Sequence, residues 1–172
     1  MAKQKENLTG SLRNMTDDDT ESVLSILNEA ILDGNFTSRY VCPTAAEWES
    51  SLLPVCRYVY EEDSEVLGFV VLHPFSGRPC YSGVAELSIY IAAKARRRGI
   101  GKLLLQKVID ESAKAGLWSL TSNIYATNEA SCRLHEALGF RRVGYRERLM
   151  KTIRGEWMSV VIYELRRPEV EA

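Results

Sequence analysis

The sequence predicts a mixed α/β (α+β) domain with a partly parallel sheet. Three observations carry that expectation. Short apolar runs with period-two alternation recur along the chain, most clearly "VAELSIYIAA" at residues 84–93. Apolar residues at helical spacing appear between them, in residues 20–33 and again in residues 102–116. Turn residues punctuate these runs, with no internal repeat and no low-complexity linker.

Each element follows in order. "GSLRNMT", residues 10–16, reads as a short first strand. Asp17, Asp18 and Asp19 then offer N-caps and early negative charge for a helix. Its stripe is Val23, Leu24, Ile26, Leu27, Ala30 and Ile31, and Gly34 ends it. "PTAAEWESSLL" reads as a second, shorter helix. "CRYVYEE" and "EVLGFVVLHPF" read as strands joined by the acidic turn Glu62-Asp63-Ser64. The strand holding Glu86 comes next, then a glycine junction and a long helix to Ala115. "LWSLTSNIYAT" is a buried-type strand, and "NEASCRLHEALGF" a short helix from Asn128 to Gly139. "RRVGYRERLMK" and "EWMSVVIYEL" close the chain as strands. At 172 residues the expectation is one domain over 10–167, with a flexible lead at 1–9 and a short tail at 168–172.

Composition excludes several function classes. The formal net charge is −1, whereas a general nucleic-acid binder needs a basic domain. The four cysteines form no C-x-x-C pair and there are only two histidines, so no metal site is expected. Four free thiols, no secretory leader and no apolar run near the roughly 20 residues of a membrane span point to a cytoplasmic protein without membrane contact.

Against that balanced background, "RRRGIGK" at residues 96–102 concentrates charge at a strand-to-helix junction. A helix N-terminus leaves backbone N–H groups unpaired and carries partial positive charge, so it suits an anion. Gly99 and Gly101 let a bulky anion approach the backbone. Arg96, Arg97, Arg98 and Lys102 surround it; a solvated turn is the alternative. The Walker pattern fails because Leu103 follows Lys102, and the dinucleotide fingerprint fails because Leu104 stands where its third glycine belongs.

Glu86 shares a strand face with Ser88 and Tyr90 by alternation, opposite Leu87, Ile89 and Ile91. Apolar surroundings favour its use as a base; a structural ion pair is the other reading. His135, on the short helix, is suited to base or acid work, or to packing. His73, before a proline at a strand end, reads as structural.

Arg96-x-x-Gly99-x-Gly101 resembles the acyl-CoA pyrophosphate loop of the GNAT superfamily of acetyltransferases, and "NEASCRLHEALGF" resembles that family's later N-x-x-[AS] helix motif. "PTAAEW", "PFSGRPCYSGVAELSIYI", "LHEALGF" and "GEWMSVVIYEL" resemble its phosphinothricin and methionine sulfoximine N-acetyltransferase branch. The resemblance implies a GNAT fold: a mixed, mostly antiparallel sheet of about seven strands, splayed in the middle and flanked by about four helices. It implies direct acetyl transfer from acetyl-CoA to the amino group of a small amino-acid-like substrate, with no metal. A protein or peptide acceptor, or a non-catalytic CoA-binding protein, are the alternatives. It also implies a homodimer, with the last strand (Trp157, Met158, Val160, Val161, Ile162) near the interface or in the sheet core.

Carried over residue by residue, the resemblance implies Glu86 and His135 as catalytic. It implies Ile89, Tyr90, Ile91, Arg96, Arg97, Arg98, Gly99, Ile100, Gly101, Lys102, Asn128 and Ser131 at the cofactor, with Asn128 also suited to cap its helix. Phe36, Phe75, Ser76, Arg78, Tyr81 and Ser88 are expected at the acceptor; Phe36, Tyr81 and Thr37 suit a core equally well. Three departures bear on specificity, one being the loss of the branch's lysine and aspartate in the stretch Ile153 to Ser159. The branch's first basic residue after its P-[FW] turn is Ser76 here, leaving Arg78, and the threonine in its approach to the glutamate is absent.

Overall fold

The α1 stripe, the β2–β3 turn and the glycine junction all form where the pattern put them. A computed structural model describes residues 8–167. The expected tail, 168–172, and most of the expected lead lie outside those residues. The strands are β1 (Ser11–Asn14), β2 (Tyr58–Glu62), β3 (Glu65–Pro74), β4 (Val84–Ile91), β5 (Ser119–Tyr125), β6 (Arg141–Lys151) and β7 (Trp157–Arg166). The helices are α1 (Thr20–Asp33), α2 (Ala45–Ser50), α3 (Ile100–Lys114) and α4 (Glu129–Ala137). One seven-stranded sheet runs β1-β2-β3-β4-β5-β7-β6. Only β4 and β5 pair in parallel, which requires the crossover that α3 supplies.

Local chemistry explains the element ends. Gly34 closes α1 with φ 78°, its N–H donating to the Ala30 carbonyl. Thr44 and Glu47 form a reciprocal capping box on α2. Asp63 and Ser64 both take positive φ in the β2–β3 hairpin, as a two-residue primed turn requires.

The aspartate run behaves differently from the expected cap. Residues Asp17–Asp19 form a 3-10 turn, and Asp19 makes no side-chain cap bond to α1. Its buried carboxylate instead receives two bonds from the Arg13 guanidinium, at 2.7 and 2.8 Å. Arg13 also binds Glu61. The Asp19 carboxylate accepts from the Thr16 N–H as well, at 2.8 Å, closing a capping box over the 3-10 turn.

The sheet is covered unequally. α1 and α2 pack on one face through Val23, Leu27, Ile31 and Trp48, against Val59, Phe69 and Val71 of β2 and β3. α3 packs on the other through Ile100, Leu104, Leu105 and Val108, with Leu134 of α4 and its C-cap Leu138 alongside, against Leu72, Leu87, Leu120 and Tyr163. The α1 face is left open over β5, β7 and β6. Val143, Tyr145, Leu149 and Trp157 are exposed there and at the β6–β7 end.

Candidate functional site

The β4–β5 ladder is short. It pairs Val84 with Ser119, Ala85 with Leu120 and Glu86 with Thr121, then stops. On its other side β4 stays paired with β3 through Ile91. The backbone of residues 87–91 is therefore laddered on one side only, the splay that the resemblance implied for Ile89, Tyr90 and Ile91.

Glu86 sits at the fork, half-buried on the α1 face. The Asn123 side-chain amide donates to its Oε1 at 3.1 Å. Ser88 and Tyr90 share this face, as alternation predicts, and Tyr90 packs on Phe69 with ring centroids 5.4 Å apart. Burial pushes the Tyr90 phenol above its usual range, while its hydrogen bond with Thr37 and the charge of Arg39 work against that shift. His73 stands opposite Glu86 in the β3 ladder. Its Nδ1 contacts the Ser51 carbonyl at 2.9 Å and its ring meets Trp48 edge-on, an anchoring role that matches the structural reading. Burial holds the His73 imidazole below its usual range.

A cavity of about 660 Å³ opens beside the fork on the same face. Phe75 and Tyr81 line it, with ring centroids 5.4 Å apart. Trp118, Thr121, Asn123 and Arg146 complete the walls the sequence reading did not name. Gly83 is required there: a Cβ would stand 2.0 Å from the Trp118 ring. Ser76, Arg78 and Ser88 are not among the lining residues. Ser76 instead accepts from the Arg78 N–H. Phe36 lies elsewhere, with the Arg96 guanidinium 4.3 Å from its ring centroid.

The glycine junction separates its cations. Arg97 and Gly99 both take left-handed φ, 69° and 97°, which bends the backbone into a concavity before α3. Arg97 and Lys102 are exposed. Arg96 is drawn back onto the frame, bonding the Ile91 carbonyl and pairing with Asp33 at 3.4 Å. Arg98 binds both Glu62 oxygens, at 2.9 and 2.7 Å. Ile100 is buried against the core. A Cβ at Gly101 would meet Leu134 of α4 at 3.3 Å, so this glycine also lets α3 and α4 approach.

α4 carries the remaining expected residues. Asn128 caps it, accepting from the Ser131 N–H at 3.1 Å. His135 is fully buried on the α3 face, edge-on to Phe140 and tilted against Tyr163. Its Nδ1 lies 2.8 Å from the Ser131 carbonyl, which can only accept, so Nδ1 carries the proton. Nε2 is then a buried acceptor without a hydrogen-bond partner among the described residues. Burial lowers the His135 pKa, keeping the ring neutral. Glu86 and His135 thus lie on opposite faces of the sheet.

Asn123 and Arg146 escaped the sequence reading because neither belongs to a motif. Period-two alternation would have put Asn123 on the Thr121 face, but only the parallel register shows that this face meets Glu86. Among the described residues no cluster of side chains suits a metal ion, and no helix is long and apolar enough to cross a membrane.

The family model described as acetyltransferase (GNAT) matches residues 22–140. A phosphinothricin N-acetyltransferase of Streptomyces coelicolor is 39% identical over 104 residues, 60% of this chain, and the chain spans 60% of that relative's length. A putative phosphinothricin acetyltransferase of Bacillus subtilis is 34% identical over 73% of this chain and 80% of its own length. The solved structure of a GNAT phosphinothricin acetyltransferase from Sinorhizobium meliloti, in complex with acetyl-CoA, superposes with a TM-score of 0.84 at 27% identity, covering 92% of this chain and 88% of that one.

Proposed function

Because this chain belongs to the acetyltransferase (GNAT) family, we propose that it moves the acetyl group of acetyl-CoA to the amino group of a small amino-acid-like acceptor, of the phosphinothricin or methionine sulfoximine type. The observation that carries this reading is the fork: a carboxylate at the point where β4 and β5 part, beside a cavity of about 660 Å³, within the size range of small-molecule sites.

The pyrophosphate of acetyl-CoA rests at the α3 N-terminus, on the concavity made by Arg97 and Gly99, with Lys102 adding charge. Arg96 and Arg98 hold the loop in shape. Asn128 and Ser131 fix the start of α4 beside the cofactor. The free backbone edge of Ile89, Tyr90 and Ile91 receives the pantetheine arm and aims a donor at the thioester oxygen. Glu86, directly or through one water, takes the proton from the acceptor amine as the N–C bond forms and the C–S bond breaks. Solvent protonates the departing thiolate. His135, with its proton committed to Ser131, has none to donate and serves as a packing group on the far face. Arg146, in the cavity wall, supplies positive charge toward the acceptor's acidic groups.

We also place a homodimer contact on the exposed β6 residues Val143 and Tyr145, which are 44% and 51% exposed on an edge strand. A sedimentation experiment showing a monomer removes it.

The test of the function is thiol release from acetyl-CoA against phosphinothricin, methionine sulfoximine, methionine sulfone, common amino acids, polyamines and short peptides. Saturable turnover with an amino-acid analogue is expected. Turnover with peptides alone moves the reading to a protein acceptor.

A further inference from the structure

We propose that Asn123 is a positioning residue: it clasps Glu86 where β4 and β5 part and fixes which carboxylate oxygen meets the acceptor. This rests on the reading of Glu86 as the proton acceptor.

The placement of Asn123 is unusual for its strand. Every other residue of β5 is buried, whereas Asn123 is exposed and opens into the cavity. The other polar residues on its face have partners of their own. Ser119 donates to Glu164 and Thr121 to the Tyr163 carbonyl. Asn123 reaches across the fork to Glu86 from two residues beyond the last β4–β5 pair. At that point backbone pairing no longer ties the strands together, so a side-chain bond is what spans them. A carboxylate presents only acceptors, so the amide must turn its NH₂ group to it. With Oε1 held, Oε2 is the oxygen left to take a proton.

Other titratable groups face Glu86 and the cavity. His73 of β3 stands opposite, tied to Ser51. Tyr90 lies on the same face of β4, and Arg39, from the loop after α1, acts on both His73 and Tyr90. Across the cavity stand Arg146 of β6 and Glu164 and Arg166 of β7, Glu164 being paired with Arg141. None of these donates a hydrogen bond to Glu86. Among the described residues, the side chain that donates to its carboxylate is that of Asn123.

The experiment compares the full-length parent with Asn123→Ala, Asn123→Asp and Glu86→Gln, using acetyl-CoA and L-methionine sulfoximine. It reads kcat, both KM values and the pH profile of kcat/KM. Asn123→Ala should lower kcat about tenfold, the worth of one hydrogen bond to a charged group, with the acetyl-CoA KM unchanged. Asn123→Asp keeps the shape but replaces a donor with a negative charge. It should lower kcat further and move the acid limb of the profile to higher pH. If Glu86→Gln abolishes turnover while both Asn123 variants match the parent in kcat and pH profile, the clasp is wrong and the base reading stands. Equal damage to kcat and to the acetyl-CoA KM would mark a merely structural residue and also overturn it. Full turnover in Glu86→Gln, or none in the parent, removes the base reading and the clasp with it.

Discussion

Glu86 and His135 are matched in the sequence and opposed in the structure. Both belong to motif-bearing stretches, and both residue types suit proton transfer near neutral pH. Glu86 stands at an open fork on a face that α1 and α2 only half cover, next to a cavity. His135 is sealed between α4, Phe140 and Tyr163 on the face that α3 and α4 close. The difference teaches that a residue's chemistry is set by the layer it falls in. On the covered face a titratable ring is desolvated and kept neutral; on the open face a carboxylate can meet a substrate.

The most forceful way to break this contrast is to change both residues. Glu86→Gln should lower kcat by about 10²–10⁴-fold, the usual worth of a general base, with acetyl-CoA affinity unchanged by calorimetry. His135→Phe should lose less than tenfold. A reversed order would overturn the assignment of roles.

A second substitution probes the cofactor side. Gly101→Glu puts negative charge at the α3 N-terminus and should weaken acetyl-CoA binding at least about tenfold. Gly101→Ala, which adds only a Cβ near Leu134, separates crowding from charge and should keep most of the affinity. Equal loss in both variants would assign the effect to helix packing.

The sealed face also makes a pH prediction. Burial lowers the His135 pKa, so the unfolded chain binds a proton more readily than the folded one. Stability is full above the unfolded value near 6.5 and falls as pH drops toward the folded value, by at most about 1.4 kcal/mol per pH unit for one such ring. His73 contributes in the same direction. Thermal melts of His135→Phe should show a shallower decline below that point, and an unchanged slope would contradict the burial account.

The last effect lies far from the site. The Arg13 guanidinium pulls the Asp19 carboxyl down to about 2. The stabilisation this shift carries, about 2 kcal/mol and shared between Arg13 and the Thr16 hydrogen bonds, is present above the unfolded aspartate value and is lost as pH falls through about 2. Arg13→Ala should remove most of that acid-range dependence in chemical denaturation. Its persistence would mean another group is responsible.

Much of the covered half was legible in the sequence. The α1 stripe, the primed β2–β3 turn and the period-two run of β4 each follow from local chemistry. The place of the glycine junction was legible, but not the partners its arginines take. Arg96 and Arg98 turn away to Asp33 and Glu62, partners roughly 60 and 36 positions distant in the chain, which no local pattern reveals. Asp19 does not cap α1 because its carboxylate is held by Arg13 of β1 and by the Thr16 N–H. Asn123 was invisible because the register of a parallel pair depends on a crossover.

The most direct test of the central claim is to map the acceptor site by amide chemical shifts, titrating L-methionine sulfoximine into the isotopically labelled protein saturated with coenzyme A. The account predicts the largest changes at Glu86, Thr121 and Asn123 on the open face. Changes centred instead on His135 and Phe140, with the fork unmoved, would contradict it.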